Sequence, residues 1–414
     1  MAPHTSSADA GVTGPLRGLK VLELGHFVAA PFCARLMADQ GADVIKVEPP
    51  TGDPVRGWGM QAGGNSVLWS LHARNKRCVT LNLKSPGARP IMERLVAWAD
   101  VVIENFRPGQ MERWGLGFAE LQAINRRVIL ARISGYGQTG PYRDRHAFGA
   151  VGEAMGGIRY MTGYPDGVTS LPPVRTGVSL ADDVAALHAL GGILAAVYER
   201  DVTGTGVGRE IDIALYEAVF SLLEGVLPEY GAGGTVRTPQ GSAMPTAVPS
   251  DTYRAADGAW VVVAGNSDLI FGRLCTLIGR PDMGADPTLA TNAGRLLRRR
   301  DVDRAVGSWV ATLPAAEAEA QLNAAGVPAS RAYTVADCVE DRHFQARGMV
   351  NAVDDPLVGP TLHPGVIPGF DAGGAVGRIA WPGPAIGAHN AAVYGRELGF
   401  TPDDIAALQQ QGVV

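Results

Sequence analysis

The stretch "KVLELGHFVAAPFCARLMADQGADVIKVE", from Lys20 to Glu48, decides the fold of this chain. Its two ends, "KVLELG" and "DVIKVE", are short runs of aliphatic and β-branched residues, a pattern typical of buried strands. The segment between them, "PFCARLMADQG", spaces its apolar residues as an amphipathic helix does. A strand, a helix and a second strand form a βαβ unit, whose two strands are parallel. We therefore expect a parallel sheet that begins near Lys20.

The same alternation of apolar runs and helical segments continues along the chain. Further strands are predicted at "CVTLNL", "DVVIENF", "VILARISG" and "REIDIAL". Further helices are predicted at "PGARPIMERLVAWA", "FAELQAINRR" and "YEAVFSLLEGVLPEY". This order indicates an α/β protein in which helices cover both faces of a parallel sheet. Ligands of such sheets bind beyond the carboxyl ends of the strands.

A change of composition divides the chain. The segment "GAGGTVRTPQGSAMPTAVPS", residues 231–250, is rich in Gly, Pro, Ser and Thr, which is typical of a long loop or a domain boundary. A smaller α/β unit follows it, and the chain ends on the predicted helix "DDIAALQQQ". We expect a flexible tail over 1–15, a large domain over 16–225, a linker loop with a small domain over 226–330, and a C-terminal segment over 331–414.

Composition limits the classes of function. With 46% hydrophobic and 19% charged residues, the 414-residue chain has the composition of a folded soluble protein. Its net charge of −5 does not favour nucleic-acid binding, and no apolar stretch is expected to approach the ~20 residues of a membrane span. The start of the chain lacks the features of a signal peptide. Four scattered cysteines and eight histidines show no spacing of metal ligands, so we expect no metal site, no disulfides and a cytoplasmic location.

The segment "SLADDVAALHALGGILAAV", residues 179–197, places two carboxylates at the start of an apolar helix. Ser179 followed by Asp182 fits a helix-capping box, and an acid in the first turn suits the helix dipole. Because nearly every face is apolar, we expect the helix, with His188, to be buried. A carboxylate fixed at the open end of such a helix could also act as a nucleophile. Both interpretations of Asp182 remain open at this point.

A glycine-rich segment and two basic segments are further candidates for ligand binding. "GYGQTG", from Gly135 to Gly140, has the spacing of a dinucleotide fingerprint, but it follows the fifth strand and Pro141 comes next. We therefore expect Gly135, Tyr136 and Gly137 to lie close to some other ligand. Basic residues flank two predicted strands and could form solvated faces or a site for several phosphates: Arg74, Lys76, Arg77, Lys84, Arg107 and Arg113. The run "RLLRRR", from Arg295 to Arg300, is predicted to be a solvated helix face.

Several of these segments together resemble one family. They are "LRGLKVLELG", "GADVIKVEPP", "NKRCVTLNLKSP", "DVVIENFRPG", "RVILARISGYGQTGP", "GVSLADDVAALHALGGILAAVYER", "GRPDM", "AGVPASRAYT" and "IGAHNAAVYGRELG". The chain is similar along almost its whole length to the class III CoA-transferases, the CaiB/BaiF family of formyl-CoA:oxalate and carnitine CoA-transferases. The resemblance implies an interlocked homodimer. It also implies a Rossmann-like large domain, completed by the C-terminal segment, with the small α/β domain inserted into it.

The resemblance also implies a reaction and its residues. The aspartate of "GVSLAD", Asp182, would attack an acyl-CoA thioester, and CoA would pass to a carboxylic acid through an aspartyl anhydride and an aspartyl-CoA thioester. Coenzyme A would be a substrate, with no tightly bound cofactor. Lys84 and Arg113 would face the CoA phosphates. The pantetheine path and the thioester would be bordered by Asn105, Phe106, His26, Phe27 and Ala29. The loop from Gly231 to Ser242 is the candidate for a lid.

Some positions depart from the family pattern. Val28 and Pro49 stand where the formyl-CoA enzyme has a glutamine and an arginine, which argues against oxalate and formate as substrates. An α-methylacyl-CoA racemase is the alternative enzyme, but the matched His-Asp positions hold Phe148 and Gly149, which cannot move a proton. The nearby His146 keeps that alternative open. A third alternative is a CoA-binding partner subunit without catalytic activity.

Overall fold

The computed structural model describes residues 13–370 and 377–414. These residues form two units, each with its own core. The first unit comprises the described residues up to Arg159, then Thr176–Thr235 and the described residues from Arg347 onward. The second unit comprises Tyr160–Arg175 and Val236–Ala346.

A six-stranded parallel sheet forms the centre of the first unit. Its strands, β1 to β6, are Lys20–Glu23, Asp43–Glu48, Arg77–Thr80, Val101–Glu104, Ile129–Ser134 and Glu210–Ala214. Their order across the sheet is β3-β2-β1-β4-β5-β6, which is the order of doubly wound nucleotide-binding folds. The α/β class and the parallel sheet are therefore confirmed, and each strand overlaps a segment predicted to be one.

Helices cover both faces of this sheet. The helices α1 to α10 are Ala29–Asp39, Val67–His72, Arg89–Trp98, Gln110–Arg113, Phe118–Ile124, Gly149–Met155, Ile158–Met161, Leu180–Asp201, Leu215–Phe220 and Val226–Gly233. Val21 points into the core formed with α1 and α8, whereas the next residue, Leu22, points into the core formed with α3 and α5. Because both faces are buried, the strands appear in the sequence as continuous apolar runs. Short 3₁₀ helices at Pro54–Gly57 and Pro86–Ala88, and a hairpin of Gln61–Ala62 with Asn65–Ser66, complete this part.

The second unit contains a three-stranded antiparallel sheet. Its strands, β7 to β9, are Ser250–Arg254, Trp260–Ala264 and Ala329–Arg331. Its helices, α11 to α17, are Asp268–Leu277, Pro281–Ala285, Asn292–Leu297, Arg299–Val310, Ala315–Ala324, Val335–Glu340 and Arg342–Ala346, with a 3₁₀ turn at Pro287–Leu289. The last part of the first unit holds the hairpin strands β10 and β11, Val350–Asp355 and Gly359–Pro364, a π-helix at Ala391–Glu397, and α18, Pro402–Gln410.

The basic run of the second unit is not a uniformly solvated face. Arg295 is fully buried and donates hydrogen bonds to the carbonyl oxygens of Val248, Leu289 and Asn266, at 2.8, 3.0 and 2.6 Å. It also pairs with Asp268 at 2.8 Å. The expectation for the whole run is therefore wrong at Arg295, since this guanidinium satisfies backbone oxygens inside the core.

Helix α8 has a buried side and an exposed side, so the prediction of a fully buried helix is wrong. Small side chains face the core: Ala181, Ala185, Ala189 and Ala196. The opposite side exposes large apolar side chains: Leu187, Leu194 and Tyr198. His188 is also exposed and forms a 3.1 Å hydrogen bond with Ser221. By length and composition alone α8 could cross a membrane, which corrects the expectation that no stretch approaches that length.

Candidate active site

A cleft lies at the carboxyl ends of β1, β4 and β5, which are neighbours in the sheet. Its cavity volume is about 280 Å³. Seven of the residues predicted for the site line it: His26, Phe27, Ala29, Asn105, Phe106, Gly135 and Asp182. Four others do not line this cavity: Lys84, Arg113, Tyr136 and Gly137. The strand order thus brings together segments that are far apart in the chain, as expected for a parallel sheet.

Asn105 fastens the turn that follows β1. Its side-chain Oδ1 accepts the N–H of His26 at 2.8 Å, and its Nδ2 donates to the carbonyl oxygen of the same residue at 2.8 Å. Gly25 makes this approach possible, because a Cβ there would lie 2.6 Å from Asn105 Oδ1. The turn is therefore fixed by a residue of the neighbouring strand end.

Aromatic rings form one wall of the cleft. The rings of His26 and Phe106 meet edge to face at 5.3 Å, and Phe106 meets Trp114 in the same way at 5.0 Å. The N–H of Phe106 donates to Glu104 Oε2 at 2.6 Å, and Glu104 pairs with Arg132 at 2.7 Å. Burial raises the pKa of Glu104 to about 7, although Arg132 acts in the opposite direction. Phe106 is thus held by a buried carboxyl group at the end of β4.

The Asp182 carboxylate lies in the first turn of α8, against the backbone of Gly149. A Cβ on Gly149 would lie only 2.0 Å from Asp182 Oδ2, so the missing side chain provides the space for the carboxylate. Ser179 occupies the N-cap position, but its side chain makes no capping hydrogen bond, so the predicted capping box is wrong. The acid in the first turn still lies at the positive end of the helix dipole.

The adjacent carboxylate, Asp183, has a different environment. It is half-buried and does not line the cleft. Burial raises its pKa to about 6, while Arg35 acts to lower it. Two neighbouring acids of the same helix turn are therefore directed into different surroundings, and only Asp182 faces the cavity.

Three of the basic residues predicted for a phosphate site are buried in ion pairs. Arg74 pairs with Asp39 at 2.7 Å, Lys76 with Glu23 at 2.7 Å and Arg77 with Asp43 at 2.8 Å. Their assignment to a phosphate-binding or solvated surface is wrong, because their charges are already neutralised inside the protein. Lys84 and Arg113 are exposed, and Arg113 donates to Gln110 at 2.6 Å.

Two residues named in the sequence analysis for other roles also line the cleft, Arg107 as a candidate for phosphate binding and His146 for the racemase alternative. Three polar residues that the sequence did not assign line it as well: Arg143, Arg145 and Ser134. Arg107 belongs to the basic segment already noted, and the guanidinium of Arg145 lies 3.4 Å from the centre of the Tyr142 ring. The segment "GPYRDRH" between the glycine-rich loop and α6 was the available signal for these basic side chains. They give the cleft positive charge, which suits an anionic ligand.

The glycine-rich segment is a loop tied to the end of the sheet. The N–H of Gly137 donates to Ser134 at 3.0 Å, and the N–H of Gln138 donates to Asp212 at 2.8 Å. The next helix, α6, begins only at Gly149, so these glycines do not open a helix as a dinucleotide fingerprint does.

The first part of the candidate lid, Gly231–Gly233, belongs to the end of α10. Across residues 13–370 and 377–414, no group of three or more His, Cys, Asp or Glu side chains is placed to hold a metal ion.

Comparison with known proteins gives consistent results. The family model described as CoA-transferase family III matches residues 16–390. A succinyl-CoA–D-citramalate CoA-transferase of Chloroflexus aurantiacus is 43% identical, over 97% of this chain and 98% of that protein. The β subunit of a succinyl-CoA–L-malate CoA-transferase of the same organism is 39% identical, over 97% and 98% of the two chains. The crystal structure of a CaiB/BaiF family protein from Brucella suis has a TM-score of 0.80 and 34% identity, and the match covers 93% of this chain and 99% of that one.

The match to the family model, the near full-length relatives and the solved structure agree with one another and with the sequence motifs. The chain therefore belongs to CoA-transferase family III and is a CoA-transferase.

Proposed function

We propose that Asp182 is the nucleophile that carries CoA from an acyl-CoA donor to a carboxylic acid acceptor. One observation supports this most directly: the Asp182 carboxylate rests against Gly149 and faces a cleft that is lined with aromatic rings and basic side chains. A carboxylate in such a cleft can attack a thioester carbonyl. The five residues predicted to border the pantetheine path and the thioester line the same cavity.

The reaction then runs in four balanced steps. An oxygen of Asp182 attacks the thioester carbonyl, the C–S bond breaks, and CoA leaves as a thiolate while a mixed anhydride remains. The thiolate attacks the Asp182 carbonyl, forms an aspartyl-CoA thioester and releases the donor acid as a carboxylate. The acceptor carboxylate attacks this thioester, giving a second anhydride and the thiolate. The thiolate finally attacks the acceptor's acyl carbon, which yields the new acyl-CoA and regenerates Asp182.

The basic cleft and the relatives suggest which acids to test. We propose that donor and acceptor are dicarboxylic acids or their CoA thioesters, because Arg107, Arg143 and Arg145 can pair with a second carboxylate. Two relatives are named for succinyl-CoA with citramalate or malate. Succinyl-CoA with these hydroxy acids is therefore the first donor and acceptor set to assay. The departures at Val28 and Pro49 argue against oxalate and formate.

We also propose that the enzyme is an interlocked homodimer in the cytoplasm. The apolar face of α8 that carries Leu187, Leu194 and Tyr198 is exposed in the single chain, and such a face marks an interaction surface. A second copy of the chain would cover it. Sedimentation should give a dimer mass that does not fall on dilution, whereas a concentration-dependent monomer would contradict interlocking. We propose that each subunit has a large domain over 16–225, a small domain over 226–330 and a C-terminal segment over 331–414, although the second compact unit spans Tyr160–Arg175 and Val236–Ala346. Of the predicted tail over 1–15, residues 1–12 lie outside the described residues.

Trapping of the acyl-enzyme tests the proposed nucleophile. Wild-type protein incubated with succinyl-CoA and quenched with hydroxylamine should carry a hydroxamate on the peptide that contains Asp182. Asp182→Ala should fold and bind CoA but transfer none, while the matched control Asp183→Asn should keep a substantial fraction of the activity. Transfer by Asp182→Ala would refute the assignment.

The same assay separates the alternatives. A racemase using His146 would incorporate solvent deuterium beside the acyl carbonyl and would form no hydroxamate. A non-catalytic partner subunit would bind CoA but would show no turnover as the purified single chain.

A further inference from the structure

A buried carboxylate outside the predicted set, Asp53, contacts the turn that borders the cleft. Its Oδ1 accepts the N–H of Phe27 at 3.3 Å and that of Val55 at 2.9 Å. Its Oδ2 accepts a hydrogen bond from Lys46 Nζ at 2.7 Å and lies 3.6 Å from Nδ1 of His26. Asp53 therefore contacts both residues of the turn that face the cavity.

Asp53 belongs to a buried ionic cluster, which we call the Asp53 cluster: Glu23, Lys46, Asp53 and Lys76. Lys46 pairs with Glu23 at 2.9 Å, and Lys76 pairs with the other oxygen of Glu23 at 2.7 Å. Each of these four residues is at most 2% exposed. Burial opposes ionisation of Asp53, but Lys46, His26 and the N–H of Val55 together outweigh it and hold the pKa of Asp53 far below its usual range. Lys46 also donates to the carbonyl oxygen of Gly25, so the cluster contacts the start of the same turn.

The turn needs external support. Phe27 has φ = +64°, a left-handed conformation that is strained for a non-glycine residue. The N–H of this strained residue is the one that Asp53 accepts. The Phe27 ring contacts Phe148 edge to face at 6.3 Å, and Phe148 directly precedes Gly149, against which the Asp182 carboxylate rests. The turn is therefore connected to Asp182 through Phe148 and Gly149.

The imidazole of His26 also depends on this carboxylate. Its Nδ1 is buried and has no hydrogen-bond partner among the described residues, and it faces Asp53 Oδ2. The side chain is 28% exposed, and His26 lines the cavity. Rotation of the ring would move Nδ1 away from the carboxylate.

Energetics favour a positioning role over a stabilising one. Buried ion pairs stabilise a fold no better than well-packed apolar residues of similar volume, because desolvation offsets their attraction. What such a cluster does supply is a fixed set of acceptors and donors in a defined geometry. In the Asp53 cluster those groups point at the His26–Phe27 turn.

We propose that Asp53 is a positioning residue for CoA transfer, which holds the His26–Phe27 turn against the acyl-CoA thioester beside Asp182. This inference rests on the proposed function of Asp182. Asp53 acts through the turn and does not itself line the cleft.

Two substitutions at Asp53 test the proposal. Asp53→Asn keeps the shape and one acceptor oxygen but removes the charge that faces Lys46 and His26. Asp53→Glu keeps the negative charge, so that Lys46 retains a partner and the variant should fold. The longer side chain shifts the carboxylate oxygens by the length of one methylene group. Both should lower kcat by roughly 10- to 100-fold, the effect of a small misplacement at a reacting centre, while KM for acyl-CoA changes by less than about threefold.

Asp39→Asn is the matched control. Asp39 is another buried carboxylate in an ion pair, with Arg74 at 2.7 Å, but it makes no hydrogen bond to the His26–Phe27 turn. It should lower Tm as Asp53→Asn does, yet kcat per folded molecule should stay within about twofold of wild type. Equal losses of kcat in the two variants would show that Asp53 is merely structural.

A double-mutant cycle with His26→Asn adds an independent readout. If Asp53 acts through the turn, the double variant should lose no more kcat than the worse single variant, because the two residues act as a unit. Losses that multiply would overturn the proposal, as would wild-type kcat in both Asp53→Asn and Asp53→Glu.

The failure of this inference can be told apart from failure of the proposed function. If the wild type transfers CoA and carries the hydroxamate on the Asp182 peptide while the Asp53 variants keep full kcat, only the positioning role is wrong. If the wild type forms no adduct at Asp182, the proposed nucleophile fails, and the positioning role fails with it.

Discussion

Replacement of Gly149 by alanine should displace the carboxylate of the proposed nucleophile, Asp182, without unfolding the protein. A Cβ on Gly149 would lie 2.0 Å from Asp182 Oδ2, whereas ordinary van der Waals contact begins at 3.4 Å. The carboxylate must therefore move by about 1.4 Å or the helices must separate. Because the carboxylate is the end of a side chain, rotation away from the cleft is the easier response. A misplacement of about 1 Å can cost about 100-fold in rate, and we expect a loss of kcat of this size for Gly149→Ala.

Gly149→Ala should change the free energy of unfolding only slightly, because a stabilising and a destabilising contribution oppose each other. Alanine favours a helix over glycine by about 0.5–1 kcal/mol, which offsets part of the clash. Gly272→Ala in α11 is the matched control, because a Cβ there meets nothing within 4 Å. Gly272→Ala should keep wild-type kcat, and its free energy of unfolding should rise by about 0.5–1 kcal/mol. Steady-state kcat, KM for acyl-CoA, the yield of hydroxamate at Asp182 and Tm would be measured for both variants.

Introducing Gly149→Ala into the Asp182→Ala variant tests whether the clash with the Asp182 carboxylate causes the loss of kcat. In Asp182→Ala the carboxylate is absent, so adding Gly149→Ala should raise Tm, since only the helix-favouring effect remains. If Gly149→Ala kept wild-type kcat, the position of the Asp182 carboxylate would not matter for the reaction. The reasoning from geometry to nucleophile would then be refuted.

Three further predictions follow from individual side chains. The pKa of Asp183 is raised to about 6, so ionisation of this carboxyl group destabilises the folded state as the pH rises from about 4 to about 6. Asp183→Asn should therefore have the same free energy of unfolding as wild type near pH 4. Above pH 6 the variant should be more stable by about 1 kcal/mol, after allowance for the partial exposure of Asp183. Lys84→Ala and Arg113→Ala should each raise KM for acyl-CoA with kcat nearly unchanged, as measured by steady-state kinetics, whereas a loss of kcat alone would contradict phosphate binding. Arg295→Met should lower the free energy of unfolding in urea by about 3 kcal/mol or more, because it leaves buried carbonyl oxygens unpaired.

The sequence predicted the sheet well because parallel strands buried on both faces retain a simple signature. All six residues of Ile129–Ser134 are buried, and four of them are apolar. Helix α8 shows the limit of such patterns. Most of its alanines face the core while Leu187, Leu194 and Tyr198 face outward, and apolar composition alone cannot distinguish a core surface from a surface that another chain would cover.

The cleft could be predicted where residues directly follow strand ends, and it could not be predicted elsewhere. His26, Asn105 and Gly135 follow β1, β4 and β5, so the topology brings them together. Arg143 and Arg145 lie in an irregular loop, where no regular spacing of residues indicates which side chains face the cleft. The resemblance supplied Asp182, since a first-turn acid is by itself equally consistent with a cap.

Charge was the property that the sequence predicted least well, and the reason is the distance between partners along the chain. Lys76 appears in a basic segment, but its partner Glu23 lies 53 positions earlier, on another strand. Sequence shows the density of charge and not its neutralisation. A basic segment beside a strand of a parallel sheet is therefore as consistent with a buried pair as with a phosphate site.

The buried acids nevertheless follow a rule that connects the fold to the cleft. The strands β1, β2 and β4 each end in a buried glutamate: Glu23, Glu48 and Glu104. Each has a basic partner, and two of them accept a backbone N–H from the segment that follows their strand, that of Asp53 for Glu48 and that of Phe106 for Glu104. A carboxylate at this position can bind the backbone where regular strand pairing ends, which an apolar residue cannot do. Buried ion pairs stabilise a fold no better than well-packed apolar residues of similar volume, so we explain these carboxylates at the carboxyl ends of adjacent strands by the loops that they hold in place around the cleft.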